Sequence, residues 1–195
     1  MSQGHIIVVG TSMGGTEALQ GLFSSLDADF PVPVVVVLHR GANSDYSLVQ
    51  YLQDFCPLRI REPEDKEKIV SGWVYLAPAD YHLMVEDDCF SLSTDPRVNY
   101  ARPSIDVLFD SASEFYGEAC IGVIMTGASS DGARGLASIK RHGGFTIVQD
   151  PKTAKVPTMP EAAIKCQMPD KICAVEQIVP EIRKYLTLKI NNDSR

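Results

Sequence analysis

Apolar residues along this chain fall into short uninterrupted runs, separated by longer segments of mixed character. The runs are rich in valine and isoleucine, which is typical of strands buried on both faces of a parallel sheet. The clearest runs cover residues 6–9, 33–38, 120–125 and 145–149, and a shorter one covers 58–61. Because segments with helical spacing separate them, the pattern predicts alternating strands and helices.

The intervening segments supply the helices of this alternation. Ser104 is placed to cap a helix over 103–116. Helices are also predicted over 15–25, 44–55 (capped by Asn43 or Ser44), 132–141, 161–166 and 175–186, followed by a polar tail over 187–195. The expected fold is α/β, a three-layer αβα arrangement around a mostly parallel, Rossmann-like sheet.

The middle of the chain breaks the alternation. Short segments over 72–77, 81–86 and 89–93 are separated only by turn-forming residues. This spacing predicts an antiparallel hairpin or meander inserted into the parallel pattern.

Composition limits what such a chain does. Its 195 residues, 45% of them hydrophobic, predict a single domain over 1–195 with its core over about 5–186. The net charge of −7, with no basic stripe, argues against nucleic acid as a partner. No apolar stretch is long enough to span a bilayer and no secretory signal is evident, so we expect no direct membrane insertion.

The five cysteines are odd in number, and no two of them have Cys-x-x-Cys spacing. A disulfide framework or a zinc site is therefore not expected, and the pattern favours a reducing cytoplasm.

The first apolar run leads directly into a serine bracketed by glycines. Ser12 follows Gly10 and precedes Gly14 and Gly15, after which an amphipathic helix begins. A serine at the carboxyl end of a strand and near a helix N-terminus is well placed as a nucleophile, because the helix dipole favours developing negative charge. A simple helix cap remains an alternative for this serine.

A dinucleotide-binding turn is the other alternative for the same segment. That turn needs glycine where Ser12 stands, and Glu17 adds a negative charge nearby. Both features argue against a bound pyrophosphate.

Polar residues also leave two other apolar runs at their carboxyl ends. His39 follows the run over 33–38, and Asp131 lies in the loop after the run over 120–125. Ligands of open α/β sheets bind at this edge. Serine, imidazole and carboxylate together are the parts of a nucleophile, a general base and an orienting acid.

Each of the two has a simpler explanation. His39 could be a capping or core histidine, and Asp131 could be a helix cap. The remaining histidines compete poorly, because His5 and His142 are expected at the opposite edge of the sheet and His82 within the hairpin.

At this point a resemblance becomes specific. The chain resembles the catalytic domain of the CheB-type protein-glutamate methylesterases of bacterial chemotaxis. The matching motifs are G-x-S-x-G-G at 10–15, a histidine ending the valine-rich run at 34–39, and T-G-x-x-x-D-G-A-x-G at 126–135, with supporting segments at 75–83, 102–109, 149–150 and 159–164. The similarity extends over about residues 5–186.

The resemblance implies that Ser12, His39 and Asp131 form a catalytic triad that needs no metal and no cofactor. It implies hydrolysis of glutamyl methyl esters on a methylated chemoreceptor, and extends to deamidation of receptor glutamines. The backbone N–H of Met13 is expected to bind the oxyanion.

Two further expectations concern the surroundings of the triad. Thr11, Gly127 and Ala128 are expected at the substrate pocket, with Ala128 standing where many members of the family carry methionine. No receiver domain is expected ahead of the catalytic segment, so control by phosphorylation is not expected to be encoded here. The chain is expected to be a separate polypeptide, an excised fragment or a single-domain relative, and a separate regulatory receiver protein is an expected partner.

Two rival functions stay open on the sequence alone. One is a small-molecule esterase or amidase with the same triad, and the other is a non-catalytic binding relative. The acidic balance of the chain gives no electrostatic attraction toward a glutamate-rich substrate, so the sequence does not explain docking.

Overall fold

The computed structural model describes residues 4–41 and 47–193, except for the side chains of 190–193. In chain order the elements are β1 (Ile6–Thr11), α1 (Gly15–Ser24), β2 (Val34–Leu38), α2 (Ser47–Gln53), β3 (Arg59–Arg61), β4 (Trp73–Leu76), β5 (His82–Glu86), β6 (Cys89–Ser93), α3 (Ile105–Tyr116), a short 3-10 turn (Gly117–Ala119), β7 (Cys120–Ile124), α4 (Ala133–Arg141), β8 (Phe145–Gln149), α5 (Thr158–Cys166), β9 (Lys171–Cys173) and α6 (Val175–Asp193).

Within these residues, one parallel sheet has the strand order β3-β4-β2-β1-β7-β8-β9. Strand β1 lies in its centre and pairs with β2 on one side and with β7 on the other. The predicted α/β class and the parallel sheet are confirmed.

Alternate residues of the central strands enter two separate cores, as a parallel sheet covered on both faces requires. Ile7 and Val9 pack with α1, α2 and α6 on one face. Ile6 and Val8 pack with α3, α4, α5 and the β5–β6 hairpin on the other. The predicted three-layer arrangement follows from this alternation.

The predicted antiparallel hairpin is confirmed, and it contains two of the three segments from which it was predicted. Strands β5 and β6 form the antiparallel hairpin. The segment over 72–77 is not part of it, because β4 pairs in parallel with β2 inside the main sheet. Val74 and Tyr75 are both buried, one in each core, which marks β4 as an interior strand.

Near the C-terminus the chain is more regular than its sequence suggested. Helix α6 continues through the predicted polar tail to Asp193. Lys189, in that extension, pairs with Glu118 at 2.9 Å and lies over the ring of Tyr185. The contacts of this extension are polar and lie at the surface. The apolar spacing that predicts a helix therefore ends before the helix does. The short edge strand β9 was also not predicted.

Other helix bounds shifted by a few residues, and Asn43 and Ser44 lie outside the described residues. No helix in the described part of the chain has the length and apolar character needed to cross a bilayer.

Candidate functional site

Three neighbouring strands in the centre of the sheet end at the site. Thr11 pairs with Leu38 in the β1–β2 register, so the residues that follow these strands are brought side by side. The His39 N–H donates to the Thr11 carbonyl at 3.1 Å, and the Ser12 N–H donates to the Thr126 carbonyl, after β7, at 3.0 Å. The strand ends predicted to converge therefore do so.

The turn around Ser12 depends on two glycines. Gly14 has φ of +79°, a left-handed conformation, and directly precedes α1. A Cβ atom on Gly127 would lie 2.9 Å from the Ser12 Cβ. The loop after β7 therefore passes in close contact with Ser12, and only a residue without a side chain fits there.

His39 and Asp131 contact each other directly. The His39 Nε2 lies 2.8 Å from Asp131 Oδ2, with the carboxylate fully buried and the imidazole 15% exposed. Because Nε2 faces the carboxylate, Nδ1 is the ring nitrogen left for another partner.

The third link of the expected triad is not formed. Among the described residues, the Ser12 hydroxyl makes no hydrogen bond with His39. The structure thus joins two of the three side chains and places the third on the adjacent strand end. In unliganded sites such hydrogen bonds are often long, and they tighten when substrate binds.

Asp131 is held by donors that the sequence did not reveal. Its carboxylate accepts hydrogen bonds from Asn99 Nδ2 at 3.0 Å, from Ser104 Oγ at 2.9 Å and from the Ile105 N–H at 2.7 Å. The Asp106 N–H also donates, at 3.2 Å. Asp131 therefore lies at the N-terminus of α3, where the helix dipole favours an anion.

Two opposing effects act on the pKa of Asp131. Burial raises it, but hydrogen bonds from His39, Asn99, Ile105 and Ser104 together outweigh burial and lower the pKa below its ordinary value. The carboxylate is therefore ionised beside the imidazole, as a residue that orients a general base must be.

Ser104 occupies the predicted N-cap position of α3 but makes no capping bond with the helix backbone. Its hydroxyl is bonded to Asp131 instead. Behind it, the ring of the buried His82 accepts the Ser104 N–H at 3.3 Å. His82 thus belongs to the hairpin, as predicted, and supports the site from beneath.

Asn99 and Asp106 form a second link between the loops. Asn99 Nδ2 also donates to Asp106 Oδ2 at 2.8 Å. Asp106 in turn accepts the Gly132 and Gly135 N–H groups at 2.9 and 2.8 Å, which fixes the start of α4 next to Asp131. The supporting motif over 102–109 contains Asp106, and the motif over 126–135 contains the two glycines, but no motif contains Asn99.

The other expected site residues are placed as follows. Met13 is 60% exposed beside Ser12, and within the described residues its N–H has no hydrogen-bond acceptor. Ala128 is exposed and Gly127 is buried against Ser12. Thr11 is fully buried, and its hydroxyl donates to the Thr126 carbonyl at 2.8 Å.

A cleft of about 300 Å³ opens beside His39. Its described lining comprises His39, Arg40, Gly41, Arg97, Tyr100, Ala101, Arg102 and Pro103. The imidazole is thus reachable from solvent through this cleft, whereas Asp131 is not.

A parallel α/β sheet with serine, imidazole and a buried carboxylate at the carboxyl ends of adjacent strands is the architecture of a hydrolase. Comparison with known proteins makes the class specific. Residues 7–182 match the CheB methylesterase family. This chain belongs to that family.

Individual relatives agree with this assignment. A protein of Leptospira interrogans, provisionally named protein-glutamate methylesterase/protein-glutamine glutaminase, is 49% identical over 187 residues, covering 95% of each chain. A protein-glutamate methylesterase/protein-glutamine glutaminase of Syntrophus aciditrophicus is 35% identical over 181 residues, covering 91% of this chain and 52% of the relative.

The fold also matches a solved structure. The crystal structure of the Thermotoga maritima CheB methylesterase catalytic domain superposes with a TM-score of 0.89 at 33% identity, covering 94% of this chain and 99% of the other. The expected family and its αβα architecture are therefore confirmed.

Proposed function

We propose that this chain is a serine hydrolase that removes methyl esters from glutamyl side chains of chemoreceptors and also deamidates receptor glutamines. The observation that carries the proposal is the contact between His39 and the buried, multiply hydrogen-bonded carboxylate of Asp131, next to the strand end that holds Ser12. A carboxylate held in this way fixes the orientation of the imidazole and stabilises its protonated form.

In the acylation step, Ser12 Oγ attacks the ester carbonyl carbon while His39 Nδ1 accepts the hydroxyl proton. Nδ1 is the acceptor because the other ring nitrogen, Nε2, is bonded to Asp131. The carbonyl oxygen becomes an oxyanion, to which the Met13 N–H beside the N-terminus of α1 donates. The bond to the methoxy oxygen then breaks, and that oxygen leaves as methanol with the proton from Nδ1.

Water completes the cycle by the reverse route. His39 Nδ1 takes a proton from water as its oxygen attacks the acyl carbon, and returns the proton to Ser12 Oγ when the acyl bond breaks. The product is a glutamate carboxylate. With a glutamine substrate the same steps release ammonia, because only the leaving group differs.

The decisive experiment measures methanol release from methylated chemoreceptors by the purified protein. Ser12→Ala and His39→Ala should each lower kcat by about 10⁴-fold or more, and the double variant should lose little more, because the groups act as a unit. Near-additive losses would contradict the triad.

Labelling by a fluorophosphonate tests the nucleophile independently of the substrate. The wild-type protein should be modified at Ser12 and the Ser12→Ala variant should not. A folded wild-type protein that resists the reagent would instead favour a non-catalytic relative.

The cellular setting is proposed on similar grounds. The five cysteines are free thiols, which supports a reducing cytoplasm. A separate receiver protein that regulates the enzyme is proposed as a partner, and its addition in a phosphorylated form should change the rate of methanol release.

A further inference from the structure

The cleft beside His39 has a charge opposite to that of the whole molecule. The chain carries a net charge of −7. Among the described residues that line the cleft, three are arginines and none is a carboxylate. The carboxylates that approach these arginines are Glu62, paired with Arg40, and Asp80, shared by Arg97 and Arg102. Three guanidinium groups thus face two carboxylates, which leaves a local positive charge.

The three arginines differ in how many of their N–H groups already have hydrogen-bond partners. Arg102 is committed, since it donates to Asp80 and to the Thr94 and Asp95 carbonyls. Arg97 is 58% exposed and lies 3.7 Å from a carboxylate oxygen that Arg102 already occupies. Arg97 is therefore the guanidinium that is available to bind a further anion.

Arg40 adds a second observation at the same place. Its side chain is only 5% exposed, and Nε and Nη1 are buried with no hydrogen-bond partner in the described part of the chain. Buried donors without acceptors leave the positive charge of this guanidinium only partly compensated in the wall of the cleft.

Tyr100 is the third observation. It is 97% exposed at the wall of the cleft, and its φ of +63° is a strained conformation for a bulky residue. The turn 98–101, closed by backbone bonds between Val98 and Ala101, would accept glycine here without strain. Within the described residues, neither burial nor a hydrogen bond of the Tyr100 side chain compensates for this strain, so the benefit of the ring lies in a contact outside the folded chain.

We propose that Arg97, Arg40 and Tyr100 form a docking surface for an acidic polypeptide segment of the substrate, flanking the ester that reaches His39. The proposal rests on the proposed function and names the chemistry of its substrate. Carboxylates beside the ester pair with Arg97, which is 58% exposed. The guanidinium of Arg40, in the wall of the same cleft, adds to the positive charge that attracts them. The exposed ring of Tyr100 packs on the aliphatic stems of the same segment.

The test compares two peptides of equal length, each with one glutamyl methyl ester. In one the ester is flanked by glutamates, and in the other by serines. Methanol release is measured with both, at low and at high salt. The wild-type protein should prefer the acidic peptide by about tenfold or more in kcat/KM at low salt, and the preference should fall as salt rises.

Arg97→Gln should bring the ratio of the two kcat/KM values close to one. A loss of activity that affects both peptides equally cancels in this ratio. The matched control is Arg183→Gln, which removes a partly exposed arginine that pairs with Asp27 outside the cleft. This control should keep the full preference.

Tyr100→Gly separates docking from folding. We expect the variant to unfold at a higher temperature than wild type, because glycine adopts the left-handed conformation freely, and yet to show a raised KM for the acidic peptide. An unchanged KM would exclude the ring from docking.

Equal hydrolysis of both peptides by the wild-type protein would overturn the proposal, as would a preference that survives Arg97→Gln. Hydrolysis of p-nitrophenyl acetate identifies the level of failure. If this small ester is cleaved but neither peptide is, the docking surface is wrong and the hydrolase stands. If nothing is cleaved and Ser12 resists fluorophosphonate, the proposed function itself fails.

Discussion

At the scale of single residues, Asn99 is the side chain that connects the two buried carboxylates of the site. Its amide donates to both Asp131 and Asp106, so it joins the orienting carboxylate to the residue that fixes α4. A neutral donor between two buried carboxylates reduces their mutual repulsion. Asn99 therefore acts as a positioning residue for the proposed triad.

Removing this amide should slow ester hydrolysis. We expect Asn99→Ala and Asn99→Gly to lower kcat/KM by about tenfold to a hundredfold, the equivalent of one hydrogen bond to a charged group. Asn99 has φ of +51°, so the glycine variant keeps the turn while the alanine variant strains it. Wild-type rates in Asn99→Gly would show that the turn matters and the amide does not.

A second prediction concerns Asp131 and the dependence of the unfolding free energy on pH. Its pKa is lowered in the folded protein, so its ionised form stabilises the fold above the pKa of an unfolded aspartate, about 4. That contribution is lost as pH falls through the lower folded pKa. The excess stability of wild type over Asp131→Asn should therefore shrink between pH 7 and pH 3 in urea denaturation.

A stability difference that stays constant over this range would mean that burial and the hydrogen bonds cancel, so that the folded pKa equals the unfolded one. A difference that grows as pH falls would mean that burial dominates and raises the pKa.

The sequence predicts Ser12, His39 and Asp131 at one edge of the sheet because each follows an apolar run, and the ends of parallel strands share one edge. It missed Asn99 for a physical reason. Asn99 lies 32 residues before Asp131 in the chain and reaches it only through a turn with two left-handed residues, Asn99 and Tyr100. The spacing of apolar residues along the chain does not predict a turn of this kind.

At the scale of elements, helix α1 holds the Ser12 turn against the sheet. Leu19 of this helix is fully buried in the core that contains Ile7 and Val9 of β1. Packing of α1 on β1 thus sets the angle at which the chain leaves the strand, and with it the position of Ser12.

Leu19→Ala should lower the free energy of unfolding by about 2–5 kcal/mol, through lost burial and the cavity that remains. The matched control is Leu188→Ala on α6, where the leucine is 56% exposed. It should change stability by less than about 0.5 kcal/mol. Urea denaturation measures both, and equal losses would contradict the assignment of the core.

The predicted elements were right where burial on two faces left a long apolar run, as in β1, β2 and β7. They were wrong where tertiary contacts decide. Strand β4 was grouped with the hairpin because its partner β2 lies far back in the chain, and β9 has only three residues, with Ile172 partly exposed. The local sequence pattern of a strand does not indicate which distant strand it pairs with.

At the scale of the whole molecule, the two edges of the sheet have separate tasks. Helix α6 begins after β9, near the carboxyl edge that holds the site, and runs toward the opposite edge. There Tyr185 stacks on Phe145, the first residue of β8, and Lys189 pairs with Glu118. The last turns of α6 therefore lie far from His39.

Truncation after Leu186 tests this separation. We expect a loss of less than about 1 kcal/mol in stability, because the Lys189–Glu118 pair is at the surface. The rate of p-nitrophenyl acetate hydrolysis should equal that of the full chain. A strong loss of activity without unfolding would show that the two edges are coupled.

Strands β2, β1 and β7 are followed by the residues of the proposed triad and occupy the middle of the sheet, with four other strands of the described chain outside them. The margins can thus drift during evolution, gaining or losing a strand or a loop, while the reactive geometry is insulated from the change. A fold built this way can acquire new attachments at its flanks and keep its chemistry intact.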